Sequence, residues 1–259
     1  MSPIRFTHAL VRPPSSSVVD GLRAIEGPDP DFGRFQVEHV GYCESLRRAG
    51  VSVETMAELP QHPDAVFVED AALCIGRHAI VLRPGDPSRA GEAAATRPDL
   101  ASRFASVAQV DDGHVDGGDI LVTTTEIIVG LSARTDAAGV AALATAAAPT
   151  GLPVRAVDTP ADVLHLKTDC AILDDQTIFS TARLAASGCF DGYDVVVCPD
   201  GEEPAANLIR VNDIVLVRTG FPETAALLET MGYAVDLVRA DEAARIDGGL
   251  SCMSLRCAW

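Results

Sequence analysis

Four times along its 259 residues, the chain sets two short apolar, β-prone runs on either side of a few polar residues. The pairs are residues 65–75 with 78–82 across Gly76-Arg77, 120–124 with 127–131, 166–173 with 177–180 across Asp174-Asp175, and 208–211 with 214–217 across Asn212-Asp213. Connections this short permit only antiparallel pairing, so each pair is expected to be a hairpin. Helical stretches at 34–49, 136–148 and 222–231 mostly stop at a glycine, and strands at 51–53, 152–157 and 233–238 follow them. The unit is strand, strand, helix, strand, and its hairpins start roughly 40–55 residues apart, within the range of repeat architectures. A fifth unit is completed if the C-terminal run at 250–255 pairs with the N-terminal run at 6–11. That pairing would close an α/β propeller and remove its sheet edges. No Pro/Gly/Ser linker separates two halves, so residues 1–259 are read as a single domain. An open mixed sheet is the alternative that periodicity leaves standing.

Charge narrows the partners. Thirty-seven Asp and Glu against 20 Lys and Arg leave a formal net charge of −17. A nucleic-acid partner would demand a basic face, so that class is excluded, whereas a small cationic ligand is not. Seven cysteines form no Cys-x-x-Cys pair, which fits a reducing cytoplasm. The N-terminus lacks the apolar run of a signal peptide, and no stretch reaches the roughly 20 apolar residues of a membrane span.

The polar residues that invite attention fall at strand starts and hairpin ends, which converge on the axis of a closed ring. Cys252 sits in Gly-Gly-Leu-Ser-Cys, where small residues let the backbone approach a ligand. A lone cysteine in a strand is usually a small core hydrophobe. A histidine and a carboxylate elsewhere would give it a means of making a thiolate. Of the six histidines His165 is the best candidate base, since it opens the strand of the third hairpin. Its tautomer needs a partner, which Asp116 or Asp119 beside Gly117-Gly118 can supply, although Asp-Gly-Gly-Asp alone more often marks a tight turn. His114, two residues before Asp116, would share a face with it in an extended segment. Glu69 and Asp70 lie inside an apolar strand where period 2 sends them to opposite faces, so at least one is buried. A buried carboxylate needs a cation, either an internal arginine or a ligand; a guanidinium suits it, because its planar fork donates in bidentate fashion.

Phe67-Val-Glu-Asp70, Asp116-Gly-Gly-Asp119, Ser132-Ala-Arg-Thr135, His165-Leu-Lys-Thr168, Ala205-Ala-Asn207 and Asp247-Gly-Gly-Leu-Ser-Cys-Met-Ser254 together resemble dimethylarginine dimethylaminohydrolase, of the guanidine-modifying (pentein) superfamily. The resemblance implies a five-bladed α/β propeller of ββαβ units that hydrolyses Nω-methylated arginines, asymmetric dimethylarginine and monomethylarginine, to citrulline and a methylamine. Carried over by position, it makes Cys252 the nucleophile, His165 the general acid and base, and Asp116 the residue that orients His165. Glu69 and Asp70 would surround the guanidinium, Arg89 and Arg134 would hold the substrate carboxylate, and Asp64 would meet the α-amine. No cofactor and no metal are implied for catalysis; a facing thiol and imidazole can capture zinc as an inhibitor, and a homodimer is among the states left open. Arginine deiminases and amidinotransferases carry His-x-Asp where this chain has Lys167, which favours a methylated substrate. A guanidine-binding protein without turnover is the rival of a different class. The segment between Pro13 and Pro30 has the composition of a mobile loop and invites comparison with a lid.

Overall fold

The computed structural model describes residues 2–24 and 26–258. Fifteen strands form five separate three-stranded sheets. In four of them the chain order is the predicted one. The units are β3 (Ala72–Ile75), β4 (His78–Val81), α2 (Ala90–Ala101), β5 (Ser106–Gln109); β6 (Ile120–Val122), β7 (Ile127–Leu131), α3 (Ala137–Ala147), β8 (Val154–Asp158); β9 (Cys170–Ile172), β10 (Thr177–Ser180), α4 (Ala182–Ala185), β11 (Asp194–Val197); and β12 (Ile209–Val211), β13 (Ile214–Arg218), α5 (Pro222–Thr230), β14 (Ala234–Val238). The first two strands of each pair antiparallel, and the helix returns the chain so that the third lies parallel to the second.

The fifth sheet joins the two ends of the chain. β1 (His8–Val11) pairs antiparallel with β15 (Leu255–Cys257) and parallel with β2 (Ser52–Thr55), across α1 (Phe32–Arg48). The ring is therefore closed as expected, but through 255–257 and not through 250–255, because residues 250–253 are spent in a turn. The sequence marks helices in three units only, at 34–49, 136–148 and 222–231; α2 and α4 fill the same position in the other two. Asp31 caps α1 and Asp136 caps α3, each accepting from a first-turn N–H, which is why both helices start where they do.

The apolar core is divided into five clusters, one at each seam between neighbouring units. Ile127 and Val129 of β7 pack with Ile75 and Ile80 on one side, whereas Ile128 between them packs with Cys170 and Ile178 on the other. Leu10 and Leu255 join Ala72 and Leu100; Phe179 and Leu173 join Val215 and Leu228; Phe35 and Leu46 join Leu216 and Val238. Side chains alternate between two buried faces, so the strands read as unbroken apolar runs.

A short turn precedes the first strand of every unit. Val68–Ala71, Gly117–Asp119, Leu166–Thr168 and Glu203–Ala206 are single 3-10 turns, and residues 250–253 form the fifth. Two sequence expectations change here. Glu69 and Asp70 do not alternate along a strand but share a turn in which both are buried, and His165 caps the third turn, five residues before β9 begins. In the first and third hairpins the first apolar run is longer than its strand because its leading residues are used to turn into the ring.

Candidate active site

Four of the five turns bring together Glu69, Asp70, Asp116, Asp119, His165, Lys167 and Cys252. Asp116 has no solvent exposure; its Oδ2 lies 3.0 Å from Nε2 of His165, and its Oδ1 accepts from the Gly85 N–H at 2.7 Å. The tautomer partner anticipated for His165 is thus Asp116. Burial opposes the imidazolium, but the Asp116 hydrogen bond and the charges of Asp70 and Asp119 outweigh it and raise the His165 pKa to about 9. His114 does not pair with Asp116; it lies 3.3 Å from Asp136 in an exposed contact.

Asp119 organises the same corner. Its Oδ1 accepts from the Leu166 N–H at 2.9 Å, and its Oδ2 from the hydroxyls of Ser132 at 2.7 Å and Thr135 at 2.6 Å. The Gly-Gly pair before it is required by clearance. A Cβ on Gly117 would stand 1.8 Å from the Glu69 carbonyl oxygen, and one on Gly118 would stand 2.7 Å from His165 Nδ1.

Asp70 accepts from the Gly118 N–H at 2.8 Å and pairs with Arg89 at 2.5 Å. Burial works against its charge, yet Arg89, His165 and the Gly118 N–H more than offset this and hold its pKa below the usual value. Arg89 is itself buried, donating to Glu92 and to the carbonyls of Asp64 and Phe67 as well. It therefore reaches a substrate carboxylate only by exchanging a partner; what it visibly does is brace Asp70. Arg134 is more open, with one 3.6 Å contact to Asp86.

Glu69 is held by two cations that the motifs do not announce as a set. Its Oε1 lies 2.6 Å from Lys167 Nζ and 2.8 Å from Arg256 Nη2, while its buried Oε2 has no hydrogen-bond partner among the described residues. Arg256 was legible only as a charge in an apolar terminal run. Behind the turns, the first strands of all five units line a cavity of about 120 Å³ that Glu69, Lys167 and Arg256 also border.

The Cys252 turn approaches Glu69 closely enough for the Glu69 N–H to donate to the Cys252 carbonyl at 3.1 Å. Burial, then the charges of Asp70 and Glu69, push the thiol up to about 11. Gly248 and Gly249 are small for a different reason than ligand approach. A Cβ on Gly248 would meet the Phe67 ring at 2.2 Å, and one on Gly249 the Asn207 amide carbon at 2.4 Å. Asp64 is buried and accepts from the Leu22 N–H at 3.0 Å, and Asp247 accepts from the Ala24 N–H, so the 13–30 segment is tied to the site at two points. Asp70, Asp116 and His165 each offer one ligand atom within 4.8 Å of the others, a donor set that a divalent cation could share.

The profile of the arginine deiminase family matches residues 59–195. The chain is 35% identical over 254 residues to N(G),N(G)-dimethylarginine dimethylaminohydrolase of Pseudomonas aeruginosa, covering 97% of this chain and 99% of the relative. It is 34% identical over 252 residues to the enzyme of the same name from Streptomyces coelicolor, covering 96% of each. A cysteine-to-serine variant of the Pseudomonas aeruginosa enzyme complexed with citrulline superposes with a TM-score of 0.93 at 33% identity, over 97% of this chain and 99% of that one. Five closed ββαβ units, a thiol beside two buried carboxylates and this extent of identity make the chain a member of the dimethylarginine dimethylaminohydrolase family of guanidine-modifying enzymes.

Proposed function

We propose that this protein hydrolyses Nω-methylated arginines to citrulline and a methylamine through a covalent intermediate on Cys252. The observation that carries the reading is the pair of buried carboxylates whose charges act on the Cys252 thiol, Asp70 and Glu69, the second with an Oε2 that is a buried acceptor with no partner among the described residues. A buried acceptor of that kind is costly unless a donor arrives, and a guanidinium brings N–H groups and positive charge together.

The substrate carboxylate falls to Arg134 and, by exchange of a carbonyl contact, to Arg89; the α-amine falls to Asp64. Without substrate, Cys252 is a thiol. A guanidinium beside it favours the thiolate by proximity of charge, so the ligand itself activates the nucleophile. The sulfur then bonds to the guanidinium carbon, and His165, an imidazolium at neutral pH, gives its proton to the departing dimethylamine as the C–N bond breaks. The neutral imidazole next takes a proton from water, whose oxygen adds to the thiouronium carbon; the C–S bond breaks as the remaining hydroxyl proton passes to the departing sulfur, which restores the thiol, and citrulline leaves. Holding the reactants in this order offsets much of the entropy of their assembly. Lys167 supports methylated over free arginine, because an ammonium bound to Glu69 offers no acceptor for a further guanidinium N–H. The thiol of Cys252 with the imidazole of His165 also makes zinc an expected inhibitor. Seven free thiols support a reducing compartment, the cytoplasm.

The test is citrulline release from asymmetric dimethylarginine and, separately, from arginine, by wild type and Cys252→Ser. Turnover of the methylated substrate that vanishes in the variant is expected. Preference for arginine would indicate a deiminase, and silence on both a binding protein.

A further inference from the structure

The five turns are linked to one another by hydrogen bonds that close a circuit. Going round, the Glu69 N–H donates to the Cys252 carbonyl at 3.1 Å, the Gly118 N–H to Asp70 Oδ1 at 2.8 Å, and the Leu166 N–H to Asp119 Oδ1 at 2.9 Å. Asn207 Nδ2 then donates to the Lys167 carbonyl at 2.9 Å, and the Ser251 N–H donates to Asn207 Oδ1 at 3.0 Å. Each bond joins a turn to its neighbour. The fourth turn contributes no group to the chemistry above, yet its Asn207 makes both bonds that connect the His165 turn to the Cys252 turn.

We infer that Asn207 is a positioning residue that fixes Cys252 relative to His165. A single planar amide sets both contacts, its donor on one turn and its acceptor on the other, so the two turns cannot shift independently while it is in place. Packing reinforces the link, since Gly249 lies so close that a Cβ there would stand 2.4 Å from the Asn207 amide oxygen. Glutamine carries the same amide on a stem one methylene longer, which sets it out of reach of this spacing. Aspartate keeps the acceptor for Ser251 but faces the Lys167 carbonyl with an oxygen, and alanine loses both. Displacements of about 1 Å at a reacting centre cost on the order of 10²-fold in rate. The inference rests on the assignment of Cys252 and His165 under the proposed function, and its test is arranged to stand apart from turnover.

The experiment is a kinetic double-mutant cycle on the second-order rate of Cys252 alkylation by iodoacetamide, followed by mass spectrometry on the full chain, with His165→Ala made in the wild-type and Asn207→Asp backgrounds. His165→Ala is expected to change the rate at least fivefold in wild type and less than twofold beside Asn207→Asp. Equal effects in the two backgrounds, or no effect of His165→Ala in wild type, would overturn the inference. Asn207→Ala provides a second background should the aspartate variant not fold. With asymmetric dimethylarginine, kcat of Asn207→Asp is expected to fall ten- to hundredfold with KM within threefold; a kcat within twofold of wild type would also overturn it. Failure of wild type to release citrulline would instead count against the proposed function, leaving the alkylation cycle to decide the positioning role.

Discussion

His165 Nε2 lies 3.0 Å from Oδ2 of Asp116, a carboxylate with no solvent exposure that is supplied by the preceding unit of the ring. Against the effect of burial, the contact and the charges of Asp70 and Asp119 turn an imidazole that would ordinarily titrate at about 6.5 into one that keeps its proton to about 9. Replacing Asp116 by Asn removes the charge and one of the two acceptor oxygens; with the amide oxygen kept by the Gly85 N–H, the amide nitrogen faces His165 in place of an acceptor. The alkaline limb of the kcat/KM profile, where His165 loses the proton it must give to the amine, is expected to move toward neutrality. The stability effect has a defined sign. A pKa raised in the folded state stabilises fully below the unfolded value of about 6.5 and is lost as pH rises through about 9. The stability deficit of Asp116→Asn should therefore be larger at pH 6 than at pH 9.5 in denaturant titrations, and a deficit that grows with pH would contradict the pairing.

Gly118→Ala tests the clearance beside the imidazole. The added methyl would stand 2.7 Å from His165 Nδ1 and 3.1 Å from Asp70 Oδ1. Either His165 or the turn must move, and a loss of kcat on the order of 10²-fold is expected. Comparable activity in the two proteins would show that the ring tolerates the shift.

Glu69→Gln leaves Lys167 and Arg256 sharing a neutral amide where they now share a carboxylate. Breaking a buried ion pair from one side costs about 3–5 kcal/mol, so a clear drop in Tm should accompany weaker substrate binding. A variant as stable as wild type would mean that solvent already screens the pair.

Ligand-assisted ionisation of Cys252 is open to direct observation. The thiol is held up to about 11 by burial and by Asp70 and Glu69. A non-reactive guanidinium should raise thiolate absorbance at pH 8, and an uncharged analogue of the same shape should not. Equal responses to both would remove charge as the cause.

Much of this architecture is local and was legible as such. The hairpins are joined by connections of a few residues, and capped helices with glycine stops specify themselves over one or two turns of chain. Closure was inferred from the edges an open sheet would expose, and the motif residues named Cys252, His165 and Asp116 before any geometry was known. The two-faced burial of β7 was not legible, because an apolar run does not reveal that Ile127 and Ile128 belong to different seams. Nor was the unwinding of the first run of the first and third hairpins into a 3-10 turn, which depends on where the neighbouring turn lies.

The chain alone determined which residues are available for chemistry and that the unit repeats, since both are properties of composition and short-range pattern. Only the tertiary structure decided their partners: Glu69 with Arg256 across 187 residues, Asp70 with Gly118 across 48, and Asn207 between Lys167 and Ser251. The reason is physical. A buried charge or amide takes whichever complementary group the packing of five seams presents to it, and that group is set by the closed ring and not by distance along the chain.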